Sequence, residues 1–153
     1  MNKKRNLKND TMKKFLFITI LIPLISFSQS QEVNGISLNG PKDFVKAGDL
    51  HWNNGNENVI IQYTKGNSIN SELAKSTCEK GSRASDFVDF GPIEHNGKTI
   101  NVCLQKGHNS LTIGGTMIYR DGYTYIIMVS AEPDDYERVL YIIGYMLTRI
   151  TTY

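Results

Sequence analysis

The stretch from Leu111 to Ile150 constrains the fold more than any other part of the chain. Leu111–Tyr119 and Tyr123–Ser130 are rich in β-branched and aromatic residues and are split by Arg120-Asp121-Gly122, a hairpin turn signal. In the second segment Tyr123, Tyr125, Ile127 and Val129 alternate onto one face, and Ile126 and Met128 onto the other. A strand that is apolar on both faces belongs in the middle of a sheet covered on both sides. A helix is expected next. Pro133 suits its first turn, Asp134, Asp135 and Glu137 suit the positive end of its dipole, and Tyr136, Val139, Leu140, Ile143, Leu147 and Ile150 form an apolar stripe.

The start of the chain reads as an address rather than as fold. Met12-Lys13-Lys14 precedes an apolar run, Phe15 to Ile25, and then Ser26-Phe27-Ser28-Gln29. A basic segment, a short apolar run and small residues at −3 and −1 make residues 1–28 a secretory signal peptide of bacterial type, with residues 1–11 a possible extra N-terminal extension. The run is short for a membrane span, and no cysteine follows it to carry a lipid, so no stable membrane anchor is expected after cleavage. The expected location is the periplasm or the medium.

The leader also carries the positive charge. Residues 1–28 hold six of the 17 Lys/Arg and one of the 15 Asp/Glu, leaving 11 basic and 14 acidic side chains in residues 29–153, a net of −3. Phosphate binding requires clustered basic residues, so nucleic acid is not an expected partner. The remaining 125 residues suffice for a single α+β domain with a core of its own.

Within that domain Gln29–Asn34 reads as a polar, frayed start, and Ile36-Ser37-Leu38 as a first strand stopped by Gly40-Pro41. Phe44 and Val45 offer an apolar plug. Leu50–Trp52 and Val59–Tyr63 form a hairpin around a loop of turn formers, and Ser71–Lys80 a helix capped by Gly81. Phe87–Glu94 and Lys98–Gln105 make a second hairpin on an Asn96-Gly97 turn, with Pro92 marking an edge or a bulge. The result is an antiparallel sheet of about six to seven strands with a helix on each face. Ile36-Ser37-Leu38 followed by Pro41-Lys42-Asp43-Phe44, the Trp52 hairpin, the mid-chain helix and the Gly122-Tyr123 meander into a final helix resemble the PsbP-like fold over Val33 to Tyr153. The photosystem extrinsic protein, a Ran-binding nucleotide-release factor, bacterial envelope proteins and secretion-effector chaperones share that fold. The resemblance implies a binding or accessory domain and carries no site residue over to a numbered position here.

The residues favour the same class over an enzyme. His51, His95 and His108 stand singly, without the short spacing of a metal or catalytic pair. Asp86 and Asp89, like Asp134 and Asp135, read as solvated or helix-end carboxylates. Gly114-Gly115 has no phosphate-loop context and reads as a bulge or a close helix contact, and Gly144 as a close backbone approach. No cofactor is expected. The alternative is a small hydrolase or metal-dependent enzyme built from His51, His108 and loop carboxylates. The favoured reading is a non-catalytic domain binding a protein or a small ligand.

Two structural expectations accompany it. Cys78 and Cys103 are the only cysteines in a chain expected to meet an oxidising compartment, and strand alternation turns Cys103 away from Ile100, Val102 and Leu104. A disulfide between them is expected to stabilise by roughly 3.5 kcal/mol. On the final helix Arg138, Tyr141, Ile142, Tyr145 and Arg149 recur at i, i+3, i+4, i+7 and i+11, opposite the expected core stripe. Tyr and Arg are enriched at interfaces, which makes this strip the expected partner surface.

Overall fold

The computed structural model describes residues 30–66, 71–81 and 87–151. The expected signal peptide, residues 1–28, lies outside the described residues. Among the described residues nine strands and two helices follow in order: β1 (Gln31–Val33), β2 (Ile36–Leu38), β3 (Val45–Gly48), β4 (His51–Asn53), β5 (Asn58–Lys65), α1 (Ser71–Gly81), β6 (Phe87–His95), β7 (Lys98–Lys106), β8 (Thr112–Arg120), β9 (Tyr123–Ala131) and α2 (Tyr136–Thr151). A 3-10 turn at His108–Ser110 links β7 to β8. Seven strands form one antiparallel sheet in the order β3-β4-β5-β9-β8-β7-β6, and β1 and β2 form a separate ribbon.

Local chemistry explains most of these elements. Asn34-Gly35, Asn96-Gly97 and Asp121-Gly122 all have positive φ at both positions, the geometry that a two-residue hairpin turn requires. The first of these turns folds Gln31–Val33 back on β2, so the start expected to be frayed is paired instead. Lys46 and Gly48 flank an irregularity in β3, the edge strand that stands where an apolar plug was expected; Phe44 is buried and Val45 is exposed. Pro92 lies on β6, the opposite edge, and the same strand carries a bulge between Phe87 and Asp89.

The doubly apolar strand, β9, is the central strand of the seven, paired along its length with β8 on one side and β5 on the other. Register gives the sheet two faces. One carries Val59, Ile61, Val102, Tyr125, Ile127 and Val129, all buried, and α2 packs on it. The other carries Cys103, Ile113, Gly115, Met117, Ile126 and Met128.

The helix begins later than the sequence suggests. Pro133 precedes it, and Asp135 is the cap: its carboxylate accepts the Arg138 amide at 3.1 Å while its carbonyl accepts the Val139 amide at 3.3 Å. At the other end Arg120 donates to the Ile150 carbonyl, a cation at the negative end of the dipole. The buried residues are Val139, Ile142, Ile143, Met146, Leu147 and Ile150, so the core stripe is turned toward Ile142 and Met146 and away from Tyr136 and Leu140.

The two glycines singled out in this region play different parts. Gly114 sits directly under α2, where a Cβ would overlap the Val139 and Ile143 side chains, and β8 is unbulged there. Gly144 has no such neighbour: a Cβ would meet only His95 Nδ1, at 3.8 Å. Gly40 was not singled out, yet a Cβ there would press on the fully buried Trp52 ring. Gly114→Ala is therefore expected to lose about 1–3 kcal/mol through overpacking. Gly144→Ala is expected to gain up to about 1 kcal/mol of helix propensity. Urea denaturation of the two variants checks both signs.

Candidate functional site

Two places hold the chemistry that sequence analysis pointed to. The first is the outer side of α2. Arg138 does not face solvent freely: its Nε donates to Glu57 Oε1 at 2.8 Å, and its Nη2 donates to Glu57 Oε2 at 2.7 Å and to Asp43 Oδ2 at 2.6 Å. Asn54 donates to both carboxylates as well. The cluster joins the loop before β3, the β4–β5 loop and the first turn of α2. Hydrogen bonds from Arg138 hold the Glu57 carboxyl below its ordinary value, against the cost of burial. For Asp43 burial is the largest single influence and pushes upward, but hydrogen bonds from its own backbone amide, Arg138 and Asn54 together leave it lowered. The guanidinium of Arg138 is correspondingly harder to deprotonate, chiefly through Glu57.

The rest of the expected strip divides between core and surface. Ile142 is fully buried and does not belong to an outward face, because the apolar arc of the helix is wider than the stripe read from Val139 and Ile143. Tyr145 is half-buried: its hydroxyl donates to the Gly40 carbonyl at 3.1 Å and accepts from Asn39 and Arg149. Tyr141 is the residue left open, 58% exposed, with the Arg138 guanidinium 5.4 Å from its ring centroid. Arg149 lies 5.1 Å over Tyr145 in the same way. The strip is thus a bracing surface with one open aromatic.

The second place is a cavity of about 220 Å³, open on one side. Ala74 and Cys78 of α1 and Phe90 of β6 wall it, and Ile113, Met117, Ile126 and Met128 rise from the sheet face that carries Cys103. Cys78 and Cys103 form a disulfide with a Cα–Cα distance of 5.8 Å, as expected from their number and from strand alternation. Gln105, in the cavity wall, donates to the Cys78 carbonyl at 3.3 Å, and the Thr116 hydroxyl donates to the Asn101 carbonyl at 2.7 Å. Among the described residues the lining is apolar or neutral, with no Asp, Glu, His, Lys or Arg. The sequence signal for this site was present in the second apolar face of β9. What could not be read was the volume left open between Ala74, Cys78 and Phe90 and that face.

The histidines do not converge in the described residues. His51 Nε2 lies 3.1 Å from Asn58 Oδ1, and His95 Nε2 lies 3.0 Å from Thr148 Oγ1. His108 belongs to the 3-10 turn, and its side chain lies outside the described residues. Among the described residues no three His, Cys, Asp or Glu are grouped as a metal site would require.

No protein-family model matches the chain, and no curated protein matches it significantly. The solved structures do. The solution structure of cyanobacterial PsbP (CyanoP) from Synechocystis sp. PCC 6803 superposes with a TM-score of 0.51 over 79% of this chain and 88% of that one, at 10% identity. The chain has a PsbP-like fold. At that identity the likeness establishes the PsbP-like architecture and leaves the function to the residues.

The two α2 tyrosines can be told apart by stability. Tyr141→Ser should change stability by less than about 0.5 kcal/mol, as an exposed position does. Tyr145→Phe should cost about 1 kcal/mol by orphaning the Gly40 carbonyl. Glu57→Gln should cost about 1.5–3 kcal/mol at neutral pH. Because the folded Glu57 carboxyl is lowered, its contribution is complete above the ordinary value of 4.5 and is lost as pH falls through the folded value. The stability gap between wild type and Glu57→Gln should therefore close on acidification below 4.5 in a pH series of urea melts.

Proposed function

We propose that the chain is an exported, non-catalytic accessory domain of PsbP-like fold that works by binding a protein or a small ligand. The observation that carries this reading is how its side chains are spent. The Arg138 guanidinium is tied to Glu57 and Asp43, where it braces loops, and the described residues of the cavity wall are apolar or neutral, with no ionisable group among them. Such a surface suits recognition. The PsbP-like neighbour is consistent with it.

In this reading α1 and α2 lie on opposite faces of the sheet, since Cys103 and Gly114 sit on strands whose side chains alternate away from each other. The exposed Tyr141, flanked by Arg138 and Arg149, is the surface that a protein partner would touch. Export agrees with the disulfide, which forms in oxidising compartments, and with a chain in which no described helix is long and apolar enough to cross a membrane.

Expression of the full chain in a bacterial host, followed by fractionation, intact mass and thiol titration in denaturant, tests the reading. The expected product is exported, begins at Gln29 or within about two residues of it, and has no free thiol. A product that retains Met12–Ser28, or that carries two free thiols, would overturn export.

A further inference from the structure

We infer that the cavity beside the Cys78–Cys103 disulfide is a binding site for a small uncharged apolar group, of the size of one aromatic ring or a short alkyl chain. The inference rests on the binding role proposed above and names the ligand class of its cavity. Three observations support it. The space is about 220 Å³. A dry apolar cavity of about 150 Å³ already admits benzene, so this one has room for a ring with a substituent but not for a large metabolite.

The wall chemistry selects against charge. Its hydrogen-bonding groups include Gln105, engaged with the Cys78 carbonyl, and Thr116, engaged with the Asn101 carbonyl. None of the described wall residues offers a counter-ion to a charged ligand, and an apolar ligand gives up no charge solvation on entry. The floor is adaptable. Met117 and Met128 are half-buried thioethers, and such side chains repack around ligands of differing outline and contact aromatic rings favourably.

The third observation concerns what keeps the site from collapsing. Gly115 leaves the sheet floor without a side chain at the register position opposite Cys103 and Met128. Among the described residues a Cβ there would meet only the Ile127 carbonyl oxygen, at 3.6 Å. The disulfide ties α1 to β7 across that gap. A concave, largely apolar pocket with a few placed polar groups is the usual form of a small-ligand site, and the disulfide fixes α1 at its rim.

The methionines provide the test. Residues 29–153 contain Met117, Met128 and Met146; the first two line the cavity, while Met146 is fully buried under α2. Protein labelled with 13C at the methionine methyls is titrated with toluene, and separately with monomeric dihexanoylphosphatidylcholine. Saturable shifts at the Met117 and Met128 methyls, with Met146 unmoved, are expected for toluene. The same shifts with the lipid would assign the site to an acyl tail, and their absence to a free small molecule.

Gly115→Leu, which fills the cavity from the floor, should abolish the shifts while leaving the Met146 methyl in place. Ala74→Leu fills it from the helix should the first variant fail to fold. No saturable shift in wild type, shifts shared by Met146, or shifts that survive filling would overturn the inference. Export and oxidation are read on other samples, so either result leaves the accessory-domain reading to its own test.

Discussion

Everything in this molecule hangs on the pairing of β9 with β5 and β8. Eight residue pairs join β5 to β9 and nine join β8 to β9, so β9 has hydrogen-bonded neighbours along both of its edges. With both edges satisfied, Tyr125, Ile127 and Val129 can be buried on one face and Ile126 and Met128 can project from the other without leaving backbone groups unpaired. The two faces then meet different fates. Over the first, a sixteen-residue helix brings six buried side chains, and Gly114 lets it settle close to the sheet. The other helix, α1, is shorter and more polar, and among the described residues its closest sheet neighbours are β6 and β7. The Cys78–Cys103 disulfide ties α1 to β7.

This asymmetry links fold to function. A completely filled second face would give a stable domain with nowhere to receive a ligand, while an uncovered one would expose Ile126, Met128 and Met117 as an aggregation-prone surface. A short helix tethered through Cys78–Cys103 borders a concave apolar space whose floor carries Met117 and Met128. The α2 side shows the opposite design. There Arg138 is fixed by two carboxylates from separate loops, one of them well buried, so the first turn of the helix and the β4–β5 loop hold each other in place. In the proposed reading, the braced α2 face is the scaffold and the pocket beside the disulfide is where a ligand would be received.

Much of this could be read from residues that act locally. The three positive-φ turns are announced by Asn-Gly or Asp-Gly, although Asn34-Gly35 was passed over because the segment before it is polar. Pro92 gave the edge, and the cysteine count with strand alternation gave the disulfide. What escaped was set by distance along the chain or by packing. Glu57 and Arg138 are 81 residues apart, and no periodicity pairs them. Ile142 was placed outside because an apolar arc bordered by tyrosines can be centred in more than one way. The helix packs against β2 as well as β8 and β9, and its buried arc takes in Ile142 and Met146. The cavity is a deficit of side-chain volume, which no single residue records.

The most direct test of this account is amide hydrogen exchange of the oxidised and the reduced protein. If α1 is held chiefly by the disulfide, reduction should strip protection from residues 71–81 alone, leaving β5, β8, β9 and α2 exchanging as slowly as before. Retained protection in α1 after reduction, or loss of protection across the whole sheet, would contradict the claim that a tethered, partial cover over one face of the sheet creates the binding site.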